Sequence, residues 1–91
     1  MLKIKRTSKF KREFEKMIRQ GYDENLMRYV VSKLANCEQL EEKYHDHALK
    51  GEWQGFRECH ITPDWLLIYS VNDNELILTL TRTGSHSYLF G

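Results

Sequence analysis

The sequence predicts a single α+β domain, with an N-terminal strand and a two-helix hairpin packed on one face of an antiparallel β-sheet. Three observations carry this. Apolar residues first alternate and then switch to helical spacing between Phe10 and Leu34. Three strand-like runs separated by turn signals follow Phe56. The chain's 91 residues leave room for one domain, since domains usually span about 50 to 200 residues.

Leu2, Ile4 and Arg6 alternate with Lys3 and Lys5, the pattern of a short strand at a sheet edge, where lysine discourages pairing with other chains. Phe10, Phe14, Met17 and Ile18 then form one apolar stripe at helical spacing, with Lys9, Lys11, Arg12, Lys16 and Arg19 on the other faces. Thr7 or Ser8 can cap this helix and Gly21 stops it. Asp23 is the expected N-cap of a second helix, in which Leu26, Val30 and Leu34, flanked by Met27 and Val31, recur to about Asn36. Residues 37–53 are polar and aperiodic and read as a long connecting loop, a kind of segment that often carries function. Phe56–Ile61, Trp65–Val71 and Leu76–Thr81 are the meander strands, joined by turns at Thr62-Pro63-Asp64 and Asn72-Asp73-Asn74. The sheet face away from the helices is expected to be open for a ligand.

Apolar residues make up 41% and charged residues 30% of the chain, with a single Pro, which excludes a disordered or fibrous protein. The longest strongly apolar stretch, Trp65 to Tyr69, is far below the roughly 18 residues that span a bilayer. Neither membrane association nor a cleavable leader is expected, and the expected location is the cytoplasm. Cys37 and Cys59 lack the paired spacing of a redox or zinc motif and read as reduced thiols. Charge is unevenly placed. Residues 1–20 carry eight Lys or Arg against two Glu, an excess of +6, whereas the rest carry six basic against eleven acidic side chains, or −5. A basic face on a near-neutral molecule suits an anionic partner.

Four histidines, His45, His47, His60 and His86, are the residues best suited to proton transfer near neutral pH. His47 lies in the long loop, His60 precedes the Pro63 turn, and His86 lies in the C-terminal Gly84-Ser85-His86-Ser87 segment. One reading is zinc, through His45 and His47 with His60 or Asp64, although Cys pairs and helical His spacing are both missing. The other is phosphodiester cleavage through the RNA 2′-hydroxyl, which needs a base, an acid and a cation for the developing charge. Arg82 suits the cation role because its planar fork matches phosphate oxygens. Trp65 and Phe90 are aromatics that either stack on bases or fill the core.

Several strings carry a closer resemblance. Asp46-His47-Ala48-Leu49-Lys50-Gly51, Trp53, Gly55-Phe56-Arg57-Glu58-Cys59-His60, Pro63-Asp64-Trp65-Leu66-Leu67-Ile68-Tyr69, Arg82-Thr83-Gly84-Ser85-His86 and Leu89-Phe90-Gly91 follow one another in order. Together they resemble the YafQ branch of the RelE-type toxins, within the RelE/ParE superfamily. The resemblance spans residues 1–91, with residues 1–45 similar mainly in their strand and helix pattern. It implies a RelE-like fold and a toxin of a type II toxin–antitoxin system that cuts mRNA in the ribosomal A site without a metal or other cofactor.

By the same resemblance, His47, His60, Asp64 and His86 form an acid–base set and Arg82 stabilises phosphate. His86 leads as general acid, while the base role stays open among His47, His60 and Asp64. Trp65 and Phe90 match positions near bound RNA, and Lys9, Lys11, Arg12, Lys16 and Arg19 would lie against ribosomal RNA. The implied partners are a cognate antitoxin, the ribosome and mRNA. A ParE-like toxin that inhibits DNA gyrase by protein contact is the alternative, and it needs no acid–base set.

Overall fold

The computed structural model describes residues 1–91. β1 (Lys3–Arg6) leads into α1 (Ser8–Arg19) and α2 (Glu24–Ala35). A 3-10 turn at Glu42–Tyr44, the short β2 (His47–Ala48) and a second 3-10 turn at Gly51–Trp53 come next. β3 (Arg57–Thr62), β4 (Trp65–Asn72), β5 (Ile77–Gly84) and α3 (His86–Phe90) complete the chain. The five strands form one sheet in the order β1-β5-β4-β3-β2. No helix is long and apolar enough to cross a membrane.

Both helix starts follow from side-chain caps. Thr7 Oγ1 accepts the Phe10 N–H at 2.9 Å and donates to the Thr81 carbonyl at 2.8 Å, tying the α1 start to β5. Asp23 Oδ1 accepts the Asn25 N–H at 2.9 Å. From α1, Phe10 and Met17 enter the core, and from α2, Met27, Val30, Leu34 and Ala35, meeting Cys59, Ile61, Trp65, Leu67, Tyr69, Leu78 and Leu80 of the sheet. The α2 stripe is turned by one residue from the expected one: Leu26 is 40% exposed and Ala35 is buried, because Met27, Val30, Leu34 and Ala35 form the narrower set at helical spacing.

Four further departures from the sequence reading are structural. The sheet is not wholly antiparallel, because β1 pairs with β5 in parallel, Lys3 opposite Ile77 and Arg6 opposite Leu80. Only a tight hairpin imposes antiparallel pairing, and β1 and β5 are the first and last strands. The long loop contains β2, whose His47 and Ala48 pair with Glu58 and Arg57. The C-terminal segment forms α3, capped by Ser85 Oγ, which accepts the Tyr88 N–H at 3.1 Å. Finally, the second sheet face is not bare: Leu66 and Ile68, which alternate with the core residues Trp65, Leu67 and Tyr69, are themselves fully buried.

Candidate active site

Strand register organises the second face. Directly opposed residues of an antiparallel pair point to the same side. Arg82 opposes Ile68, Ile68 opposes Glu58, and Glu58 opposes His47, which makes one row across four strands. The neighbouring row runs from His60 through Leu66 to Gly84, two residues before His86. Leu66 and Ile68 thus form an apolar floor, with His47 and His60 on one side and Arg82 and His86 on the other. Strands lie about 4.8 Å apart, so roughly 10 Å separates the Glu58 backbone from that of Arg82.

On the first side stands Glu58, 5% exposed. Its Oε1 lies 3.5 Å from His47 Nε2 and 3.6 Å from His60 Nε2, so the two rings face the same carboxylate oxygen. The His45 carbonyl lies 2.7 Å from His47 Nδ1. A carbonyl only accepts, so Nδ1 carries the hydrogen and Nε2 is the nitrogen free to take up a proton. His45, which has no assigned role in the sequence reading, adopts a left-handed φ of 47° and sets its ring edge-on to His60 at 5.5 Å. Behind β2, on the core side, Asp46 accepts from the Tyr69 hydroxyl and pairs with Arg57 at 3.3 Å, which anchors the residue before His47. Burial and the Asp46 carboxylate both push the Tyr69 hydroxyl pKa up, so it stays a donor.

On the opposite side, Arg82 Nε donates to both Glu13 carboxylate oxygens at 3.0 Å and Nη2 donates to Oε2 at 2.7 Å. Glu13 also accepts the Thr83 N–H at 3.2 Å. Burial alone would raise the Glu13 pKa, but the hydrogen bonds from Arg82 and Thr83 and the Arg82 charge outweigh it and hold the carboxyl below its ordinary range. Gly84 is required by close approach, because a Cβ there would stand 2.7 Å from Cδ2 of the Tyr88 ring. His86 begins α3 and is exposed. Its ring lies 5.2 Å from that of Phe90, which in turn meets Trp53 at 6.3 Å. Phe90 is 37% exposed, leaving part of its ring available to a base.

Asp64 is exposed in the β3–β4 turn, beside the Leu66 row rather than within it. Trp65 does not belong to the site. It is fully buried, stacks with Phe14 at 6.3 Å, and donates its indole N–H to Thr83 Oγ1 at 2.8 Å. Alternation along β4 turns it to the helix side, so no face remains for a nucleotide. Lys9, Lys11, Arg12, Lys16 and Arg19 are all exposed on α1, on the helix side of the sheet, and Lys16 Nζ reaches the Tyr88 ring of α3 at 4.9 Å. The zinc alternative calls for His45 and His47 with His60 or Asp64; in the structure His47 and His60 share the Glu58 carboxylate instead, and Asp64 stands apart in the β3–β4 turn.

Sequence reasoning missed Glu58, Glu13 and Tyr88. Glu58 had a signal, since it sits two residues before His60 in a strand and so must share its face. Glu13 had none beyond its place in the apolar stripe of α1, between Phe10 and Met17.

A family model described as bacterial toxin of type II toxin–antitoxin system, YafQ, matches residues 2–91. The mRNA interferase toxin YafQ of Escherichia coli strain B / BL21-DE3 is 35% identical over 89 residues, 97% of this chain and 95% of that protein. The crystal structure of a metal-bound toxin from Helicobacter pylori superposes with a TM-score of 0.94 at 44% identity, covering 99% of this chain and 100% of that one. YafQ in the E. coli DinJ–YafQ toxin–antitoxin complex superposes at 0.89 with 33% identity, each chain fully covered. With the whole of the fold and nearly all of the sequence matched, the chain belongs to the YafQ family of bacterial type II toxin–antitoxin toxins.

Proposed function

We propose that this protein is an mRNA interferase, a ribosome-dependent endoribonuclease that cuts mRNA in the ribosomal A site and is held in check by a cognate antitoxin. The observation that carries the reading is the placement of two imidazoles and a cation-bearing fork on opposite sides of the Leu66–Ile68 floor. The E. coli relative named as an mRNA interferase, and the relative captured with its antitoxin, support the substrate and the partner.

In this reading a base removes the 2′-hydroxyl proton, the 2′-oxygen attacks phosphorus, and an acid protonates the departing 5′-oxygen. The products are a 2′,3′-cyclic phosphate and a 5′-hydroxyl. His47 or His60 serves as base, with Glu58 as the shared acceptor beside both, and Asp64 is the third candidate at the turn. His86 stands across the floor, suited to the acid role, and Arg82 faces the charge that develops on phosphate. Phe90 stacks on a base next to the cut. The basic surface of α1 adds salt-sensitive attraction to ribosomal RNA.

The test is cleavage of mRNA by the purified protein, with and without programmed ribosomes and with EDTA, comparing wild type with a His86→Ala variant of equal thermal stability. The expected result is ribosome-dependent, EDTA-resistant cutting that falls by about 10²- to 10⁴-fold in the variant, the usual loss of one acid–base group. A folded wild type that cuts under no condition defeats the reading.

A further inference from the structure

Among the acidic side chains of α1, Glu13 alone is turned inward, 5% exposed, on a helix whose outer faces are basic. Its carboxylate holds two groups of β5 at once. It binds Arg82 through Nε and Nη2, with Nη1 making no hydrogen bond within the protein. It also accepts the Thr83 N–H, and the guanidinium that it holds reaches α3, the helix that begins with His86 and ends with Phe90. The Tyr88 ring is fixed from the other side by Gly84, and the Arg82 guanidinium lies over it at 5.9 Å.

We propose that Glu13 is a positioning residue for RNA cleavage, fixing the Arg82 fork so that its free edge meets the scissile phosphate while the guanidinium stays over the Tyr88 ring of α3. The inference rests on the nuclease reading above. Two hydrogen bonds in a planar fork define the orientation of a guanidinium, whereas one leaves it free to swing. A carboxylate on α1 is well suited to the task because α1 packs along β5 past the end of β1, where the edge of β5 is unpaired and its Thr83 N–H is available. Glu13 touches no substrate in this scheme; it acts through Arg82.

The experiment is a double-mutant cycle on single-turnover mRNA cleavage with programmed ribosomes, using Glu13→Gln and Arg82→Lys. Lysine keeps a cation opposite the buried carboxylate while removing the fork, and glutamine keeps the shape of Glu13 while removing its charge. Expected is a loss of up to about 100-fold for each single variant, the scale of a misplacement of about 1 Å. The double variant should be no slower than Arg82→Lys alone, with KM changed less than kcat. Losses that multiply, or full activity in Glu13→Gln, overturn the inference. A wild type without activity, or full activity in Arg82→Lys, instead removes the reading on which it rests.

A purely structural Glu13 would move stability but leave the two losses independent. Should Glu13→Gln fail to fold, the wild-type protein supplies the second measurement. In its NMR spectrum the Arg82 Nε proton, held by two carboxylate oxygens, should exchange with water more slowly than the Nε protons of the exposed Arg12 and Arg19. An Arg82 Nε proton that exchanges as fast as theirs overturns the proposal.

Discussion

Trp65 shows at the scale of one residue how a side chain of ambiguous chemistry is decided by its surroundings. The indole is fully buried, and its N–H meets Thr83 Oγ1, whose own hydroxyl donates to the Leu66 carbonyl at 2.7 Å. Trp65→Phe should therefore lower folding stability by about 1 to 2 kcal/mol, the net worth of a buried hydrogen bond plus lost contact, as read by urea denaturation. In a Trp53→Phe protein the remaining indole should resist iodide quenching; efficient quenching would mean that Trp65 is reachable by solvent and by RNA. Thr7 is a second case. Because its hydroxyl serves both the α1 cap and the Thr81 carbonyl, Thr7→Ala should cost about 1 to 2 kcal/mol, more than an ordinary solvent-exposed cap.

Elements here are held by a few long-range polar contacts at their margins. The segment between α2 and β2 is latched by Glu41, which accepts from the Tyr29 hydroxyl and pairs with Lys33 at 3.2 Å. The Tyr29 hydrogen bond, with help from backbone and Lys33, draws the Glu41 carboxyl from 4.5 down to about 2. A lowered carboxylate pKa gives stability that is complete above about pH 4.5 and is lost as the pH falls toward 2. Glu41→Gln should flatten acid unfolding in that window, followed by circular dichroism; parallel wild-type and variant curves would show that the latch adds nothing. At the other end, Gly84→Ala forces a Cβ into the Tyr88 ring and should destabilise the docking of α3 by about 1 to 3 kcal/mol. Combined with Tyr88→Ala, the same substitution should cost less, because the clashing ring is gone and only the strain of a side chain at a φ of 157° is left.

For the whole molecule, charge separates from chemistry. The basic side chains of α1 lie on the helix side of the sheet, while His47, His60 and Arg82 belong to the rows of the opposite side. The two surfaces are joined through Glu13, which holds Arg82, and through Lys16, which reaches the Tyr88 ring of α3. Binding and cutting should then be separable. Replacing Lys9, Lys11 and Arg12 with Gln should weaken ribosome association and reduce the slope of log affinity against log salt by about 2 to 3, leaving the single-turnover rate at saturation unchanged. Equal affinity and slope in the variant would take α1 out of the RNA interface.

The sequence by itself determined the elements that depend on local periodicity and turn chemistry: both long helices with the Thr7 and Asp23 caps, the three meander strands, and the edge character of the lysine-flanked first strand. It also supplied the histidines, Arg82 and Phe90 as the chemically capable residues, because residue type is local information. Pairing and depth are not. The parallel placement of β1, the two-residue β2 and the five-residue α3 exist because distant strands offer unpaired edges and side chains such as Tyr88 find a partner. The same nonlocal packing buried Trp65 and turned Leu26 to solvent. It also placed Glu58 beside two histidines and set Glu13 on Arg82, 69 positions away in the chain. A carboxylate's role depends on what stands within about 4 Å of it, and only the tertiary structure decides that distance.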